Sequence, residues 1–166
     1  RCIVNNESSD IIRIFNRSFG NFDDFRVDLY PEDLEDEIDR LNERIYPNIN
    51  NGVYKAGFAT SQAAYEDAVD GLFNTLHYLE DLLDTRRYLT GDEITEADWR
   101  LFPTLLRFDP VYVGHFKCNL QRIADFKNLS GYLKDLYQQP GIAETCDLDH
   151  IKRHYYGSHP TINPSG

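Results

Sequence analysis

Leu34, Ile38, Leu41 and Ile45 recur at spacings of four, three and four, and Glu, Asp and Arg fill the positions between them. One stripe of a helix opening at Pro31 is therefore apolar while its other face is charged. Pro47 is expected to stop it. From Thr60 onward, Tyr65, Ala68, Val69, Leu72, Leu76, Leu79 and Leu83 predict a longer helix of roughly six turns, weakened only at Gly71. A third run follows Thr95, with Trp99, Phe102, Leu105 and Leu106 on its inner side, and Asp109-Pro110 should bend or end it. Leu129, Leu133 and Leu136 mark a fourth helix closed by Pro140-Gly141, and residues 142–154 supply one or two short final ones.

The flanking segments read differently. Cys2-Ile3-Val4 has the look of a strand end, followed by a short helix that carries Ile11, Ile12 and Phe15, with Asn6 as its N-cap and an end near Gly20. Residues 21–30 read as a linker rich in Asp and Phe. Asn50-Asn51-Gly52 and Gly57 predict that residues 48–59 form a loop, a common place for a site. No alternating apolar run long enough for a sheet follows residue 10, so the fold class is an all-α bundle over residues 31–157 with an irregular tail at 158–166.

Composition narrows the function classes. Apolar residues make up 41% and aromatics 13% of 166 residues, which is core material for one domain. The chain has no methionine and opens on Arg1-Cys2-Ile3-Val4, which predicts a piece of a longer protein. There is no apolar run of about 18 residues and no signal-like opening, so no membrane span is expected. Cys2, Cys118 and Cys146 lie at wide, irregular spacing, which suits ordinary structural thiols in a reducing, cytoplasmic setting. The net charge of −11, with acids concentrated between Asp23 and Glu43, argues against a nucleic-acid partner. His150 and His154 share a helical face and His159 follows, but no intervening glutamate or cysteine pair accompanies them, so no metal site is expected.

The segment from Leu89 to Trp99 holds a capping box. Thr95 can accept from the Asp98 backbone N–H while the Asp98 carboxylate reaches back to the Thr95 N–H, and Ile94 can pack on Trp99. Alone, this is a helix-entry device worth about 0.5–2 kcal/mol.

Tyr88-Leu89-Thr90-Gly91-Asp92, with Ile94-Thr95 and Ala97-Asp98, resembles the buried-helix motif of glutathione transferase second domains. Three further stretches are similar to the glutathionyl-hydroquinone reductases (Xi-class, omega-like) of that superfamily. They are Asn51 to Ala59, Arg107 to Tyr112 with His115-Phe116-Lys117-Cys118, and His154-Tyr155-Tyr156 with Thr161-Ile162-Asn163-Pro164. The resemblance covers essentially the whole chain. It implies that residues 1–20 are the end of a thioredoxin-like glutathione-binding domain, and that the helical bundle follows after the linker.

The same resemblance implies a reaction. A cysteine in a Cys-Pro-Trp motif of the thioredoxin-like domain takes glutathione from a glutathionyl-hydroquinone, and a second glutathione resolves the mixed disulfide, giving hydroquinone and glutathione disulfide. No Cys-Pro pair exists here, so the three cysteines are assigned no catalysis and this chain alone is expected to be inactive. Glu7-Ser8 matches the pair that holds the γ-glutamyl end of glutathione, where a hydroxyl and a helix N-terminus suit a carboxylate and Glu7 suits an ammonium. Tyr54 and Tyr155 match positions of the hydroquinone pocket. A phenol there can donate to a quinol oxygen, with Tyr156 as the competing neighbour. Partners implied are glutathione, the quinol substrate, the chain's own thioredoxin-like domain and a second copy in a homodimer. Two other readings stand beside this one: a non-enzymatic helical interaction module, and an ordinary glutathione-conjugating transferase.

Overall fold

The computed structural model describes residues 5–18 and 27–164. The strand end expected at Cys2-Ile3-Val4, the helix end near Gly20 and residues 21–26 of the linker lie outside the described residues. Among the described residues, every regular element is helical: α1 (Ser8–Ser18), α2 (Glu35–Ile45), α3 (Gly52–Gly57), α4 (Gln62–Leu82), α5 (Glu96–Arg107), α6 (Lys127–Tyr137) and α7 (Leu148–Ser158). Two single π turns, Tyr46–Asn50 and Phe108–Tyr112, and two short 3₁₀ turns complete the path. No helix among the described residues is long and apolar enough to cross a membrane.

The apolar stripes do what their spacing predicts. Ile38, Leu41 and Ile45 from α2 are at most 3% exposed, and Leu72, Leu76 and Leu79 from α4 are fully buried. Each such side chain contributes about 1.5–3 kcal/mol through removal from water. The Ser61 hydroxyl caps α4 by accepting from Ala64 N–H at 3.3 Å. The helix then runs through the middle of the bundle, against α3, the first π turn and α6, while α5 lies on α2 and α6. Tyr88 and Gly91 exchange backbone hydrogen bonds in the turn before α5, where Gly91 adopts a φ of 133° open to glycine.

Three local expectations are corrected. Asn6 does not cap α1: the helix opens at Ser8, so Glu7 holds the capping position, and its N–H is taken by the Asn5 side chain at 2.8 Å. Pro31 opens a turn closed by Leu34 N–H, and α2 itself begins at Glu35. Residues 48–59 are no loop, because the chain keeps winding through Pro47 as a π turn and enters α3. The same device recurs at Pro110. A proline supplies no N–H and crowds the carbonyl four residues back. The chain passes each proline in a widened turn, closed by Asn51 N–H to Tyr46 C=O and Val113 N–H to Phe108 C=O at 2.9 and 3.0 Å, and the helical path continues.

Two buried carboxylates lock the bundle. Asp98 is fully buried and accepts from Leu89 N–H (3.0 Å), Thr95 N–H (2.8 Å), Thr95 Oγ1 (3.1 Å) and Tyr132 Oη (2.8 Å). Its removal from water pushes its carboxyl up despite those donors. The expected capping box is thus present, and it is tied to the turn before it and to α6. Glu96, next to it, fastens α1: Arg13 reaches its two carboxylate oxygens at 2.9 and 3.0 Å, and Asn42 and Arg100 add 3.2 and 3.3 Å contacts. Arg13 also pairs with Asp39 and lies 3.9 Å over the Tyr30 ring.

Candidate functional site

Helix α3 is six residues long and exists to place one side. Val53, Ala56 and Gly57 face the core, where a Cβ on Gly57 would stand 2.4 Å from the Phe116 ring, so the close approach of that ring depends on glycine. Tyr54 and Phe58, one turn apart, are left on the outer side at 38% and 49% exposure.

Tyr54 Oη lies 2.6 Å from Tyr155 Oη on α7, and Tyr155 Oη lies 2.9 Å from Tyr112 Oη in the second π turn. Three elements far apart in the chain thus converge on one row of hydroxyls. The rings support one another: Tyr112 stacks on Phe116 at 10° and 5.4 Å, and Tyr54 tilts against Phe116 at 5.3 Å.

Burial orders the row. Tyr112 is 2% exposed, Tyr155 is 7% exposed and Tyr54 is open to solvent. Burial, then the bond to Tyr155, pushes the Tyr112 phenol far above its ordinary value. Burial likewise raises Tyr155. Both hydroxyls stay protonated near neutrality. Among the described residues Tyr112 has no other acceptor, so the row is fully satisfied when Tyr112 donates to Tyr155 and Tyr155 to Tyr54, an order that frees the Tyr54 proton for a further acceptor. A row of this polarity is a hydrogen-bond donor with two phenols behind it, and each bond polarises the next.

Of the residues singled out in the sequence, Tyr54 and Tyr155 are brought into direct contact. Tyr156, half-buried, turns instead toward His115, with ring centroids 4.7 Å apart. Glu7 and Ser8 stand exposed at the start of α1 and make no hydrogen bond to the tyrosines. The concave surface beside them is a cleft of about 410 Å³ between Ser9, Arg13, Asp39, Tyr46 and Arg100. Cys118 is fully buried, with its thiol pushed up to about 12 by desolvation, the opposite of a reactive thiolate. Cys146 is half-buried against the Ile142 carbonyl, and Cys2 lies outside the described residues.

Tyr112 is the member of the row that sequence reasoning missed. It sits in the stretch Arg107 to Tyr112 already noted, but its direction depends on the π turn, which no period-3.6 pattern reveals.

Comparison with known proteins follows the same lines. Residues 62–135 match the model of the glutathione S-transferase C-terminal domain. The chain is 58% identical to the glutathionyl-hydroquinone reductase YqjG of Escherichia coli over 99% of this chain and 50% of that protein. It is 56% identical to the glutathionyl-hydroquinone reductase PcpF of Sphingobium chlorophenolicum over 99% and 52%. The structure superposes on glutathione-bound YqjG with a TM-score of 0.95, covering 98% of this chain and 53% of that one. On the Xi-class transferase of Natrialba magadii the TM-score is 0.94 at 54% identity, covering 98% and 50%. The chain spans about half the length of the curated relatives it matches.

Proposed function

We propose, from the premise that this chain belongs to the glutathione transferase superfamily as its C-terminal helical domain, that it supplies the quinol-binding wall of a glutathione-dependent reductase of glutathionyl-hydroquinones. The row Tyr112–Tyr155–Tyr54 is the observation that carries this reading. The relatives named as glutathionyl-hydroquinone reductases and the structure named as glutathione-bound support it.

In the proposed reaction a thiolate from the thioredoxin-like half of the full-length protein attacks the glutathionyl sulfur. The carbon–sulfur bond breaks, its electron pair passes into the ring, and the ring carbon takes up a proton. A second glutathione then attacks the protein–glutathione disulfide, giving glutathione disulfide and the free protein thiol. Charge develops on the quinol oxygen while the bond breaks. The outward Tyr54 hydroxyl donates to that oxygen, and Tyr155 and Tyr112 behind it strengthen the donor.

Glu7 and Ser8, at the N-terminal end of α1, take the γ-glutamyl end of glutathione in this reading, with the helix N-terminus toward its carboxylate. Residues 1–20 then belong to the thioredoxin-like domain and residues 31–157 to the helical one, in a homodimeric protein of the cytoplasm, where reduced glutathione is available. The test is turnover of a glutathionyl-hydroquinone by the full-length protein with glutathione. Release of hydroquinone and glutathione disulfide supports the reading, and formation of thioethers from quinone and glutathione in place of their cleavage sinks it.

A further inference from the structure

His115 is 2% exposed, and its Nδ1 has no hydrogen-bond partner among the described residues. Its Nε2 lies 3.2 Å from Nδ1 of His159, and the two rings are tilted by only 27°. His115 is held between Phe116 and Tyr156, with centroids 5.2 and 4.7 Å away. His159 starts the turn after α7. Its carbonyl accepts from Ile162 and Asn163 N–H, and Ile162 packs on the core. On its other side the His159 ring stands edge-on to Phe58 at 5.3 Å and meets Tyr155 at 5.9 Å.

We propose that His115 and His159 are positioning residues: the hydrogen bond of the neutral pair holds residues 159–164 and the His159 ring against the tyrosine site, and proton uptake by the pair releases them. The inference rests on the reading of Tyr54 and Tyr155 as the quinol wall.

The proton inventory carries the argument. In the neutral pair His115 donates Nε2–H to His159 Nδ1, which leaves only a bare lone pair at the partnerless Nδ1 of His115. A proton added to His159 Nδ1 faces that Nε2–H. A proton taken up directly at His115 Nδ1 leaves the bond formed but makes that nitrogen a buried donor without an acceptor. Either outcome weakens the clamp.

The titratable groups against the pair are the Tyr155 and Tyr156 phenols of α7 and each histidine against the other. Phe58, just past α3, and Phe116, after the second π turn, bring only apolar rings, while Lys117 is exposed, with its carbonyl held by Tyr65. Among the described residues no carboxylate is hydrogen-bonded or ion-paired to either ring, so no such partner there compensates a positive charge. Burial, followed by His159, accordingly lowers His115 from the usual histidine value of 6.5. Because the folded state disfavours the protonated form, the clamp is complete above the ordinary histidine value and is lost as the pH falls through the lowered value of His115.

The test uses hydrogen exchange over residues 155–164 in the full-length protein at about pH 8 and about pH 5, corrected for intrinsic exchange rates. Wild type is expected to lose about fivefold or more of its protection at the lower pH. His159→Asn keeps an oxygen acceptor for His115 Nε2–H and should be as protected as wild type at the higher pH. His159→Ala should be unprotected at both. Equal protection of wild type at the two pH values, or loss of protection in His159→Asn at the higher pH matching that of His159→Ala, overturns the clamp. In the turnover assay, His159→Ala should raise KM for the glutathionyl-hydroquinone by about fivefold with a smaller change in kcat, and an unchanged KM removes the positioning role. Absence of turnover by wild type at every pH counts against the reductase reading alone, since the exchange experiment reads the clamp without it.

Discussion

Tyr54 and Tyr155 are 101 positions apart in the chain, and their hydroxyl oxygens are 2.6 Å apart in the fold. With Tyr112 and Tyr155 donating along the row, Tyr54 is the member whose hydrogen is left for a ligand. Tyr54→Phe in the full-length protein should therefore lower kcat by about 10²–10³, the cost of removing one donor to a developing oxyanion. KM should move much less, because the ring and its packing remain. Steady-state kinetics on a glutathionyl-hydroquinone would show this, and a kcat within twofold of wild type would remove Tyr54 from the chemistry.

On the proposed reading Tyr112 acts through Tyr155, to which its hydroxyl is hydrogen-bonded. Tyr112→Phe keeps the ring that stacks on Phe116 and deletes only the hydroxyl at the closed end of the row. A loss of about tenfold in kcat is expected, with about 1 kcal/mol of stability lost from one buried hydrogen bond. Because both hydroxyls belong to one row, the double variant Tyr54→Phe, Tyr112→Phe should be no slower than Tyr54→Phe alone. Additive losses would mean that Tyr112 serves something other than the row.

The contrast between Tyr54 and Tyr112 also marks how far the sequence could be read. The stripes of α2, α4, α5 and α6 were legible because each buries a face repeating every three or four residues, and the Thr95-Asp98 box was legible because its partners are three residues apart. Neither π turn was legible. Pro47 and Pro110 look like stops, and only tertiary packing decides that the chain continues past them with one residue more per turn. Tyr54 was reached by resemblance while its setting was taken for a loop. The His115–His159 contact joins two stretches that were noted separately, and no spacing rule pairs residues 44 positions apart.

Glu96 anchors α1 with two Arg13 bonds and is 5% exposed. Glu96→Gln leaves Arg13 and Arg100 facing a neutral amide. Arg13 and Arg100 keep side-chain exposures of 25% and 22%, so solvent softens the loss, which should be about 2 kcal/mol rather than the larger cost of a fully buried pair. A double-mutant cycle with Arg13→Gln, read by urea unfolding, should return a coupling of about 1–2 kcal/mol. No coupling would show that α1 is held by the Tyr30 ring and Asp39 instead.

The two described cysteines should differ in reactivity. Cys118 is fully buried and its thiol is raised to about 12, whereas Cys146 is half-buried at the edge of a cavity of about 290 Å³ lined by Trp99, Phe102 and Ile151. Iodoacetamide at about pH 8 should label Cys146 on the native protein, and Cys118 only through unfolding. Mass spectrometry of tryptic peptides across a urea series would separate the two. Labelling of Cys118 at the native plateau would contradict the packing around it.

Gly57→Ala is a substitution whose sign distinguishes packing from propensity. In a helix, replacing glycine by alanine ordinarily stabilises by about 0.5–1 kcal/mol. Here a Cβ would stand 2.4 Å from two atoms of the Phe116 ring and 2.9 Å from its Cβ. Phe116 is fully buried and stacked on Tyr112, so it has nowhere to yield without moving the ring beneath the hydroxyl row. Overpacking should win and destabilise the domain by about 1–3 kcal/mol. Displacement of Phe116 also tilts Tyr54 and Tyr112 away from Tyr155, so turnover should fall in the folded variant as well, by more than its stability loss explains. A stabilised Gly57→Ala variant with wild-type turnover would show that α3 can shift as a unit and that the close approach to Phe116 does not set the tyrosine geometry.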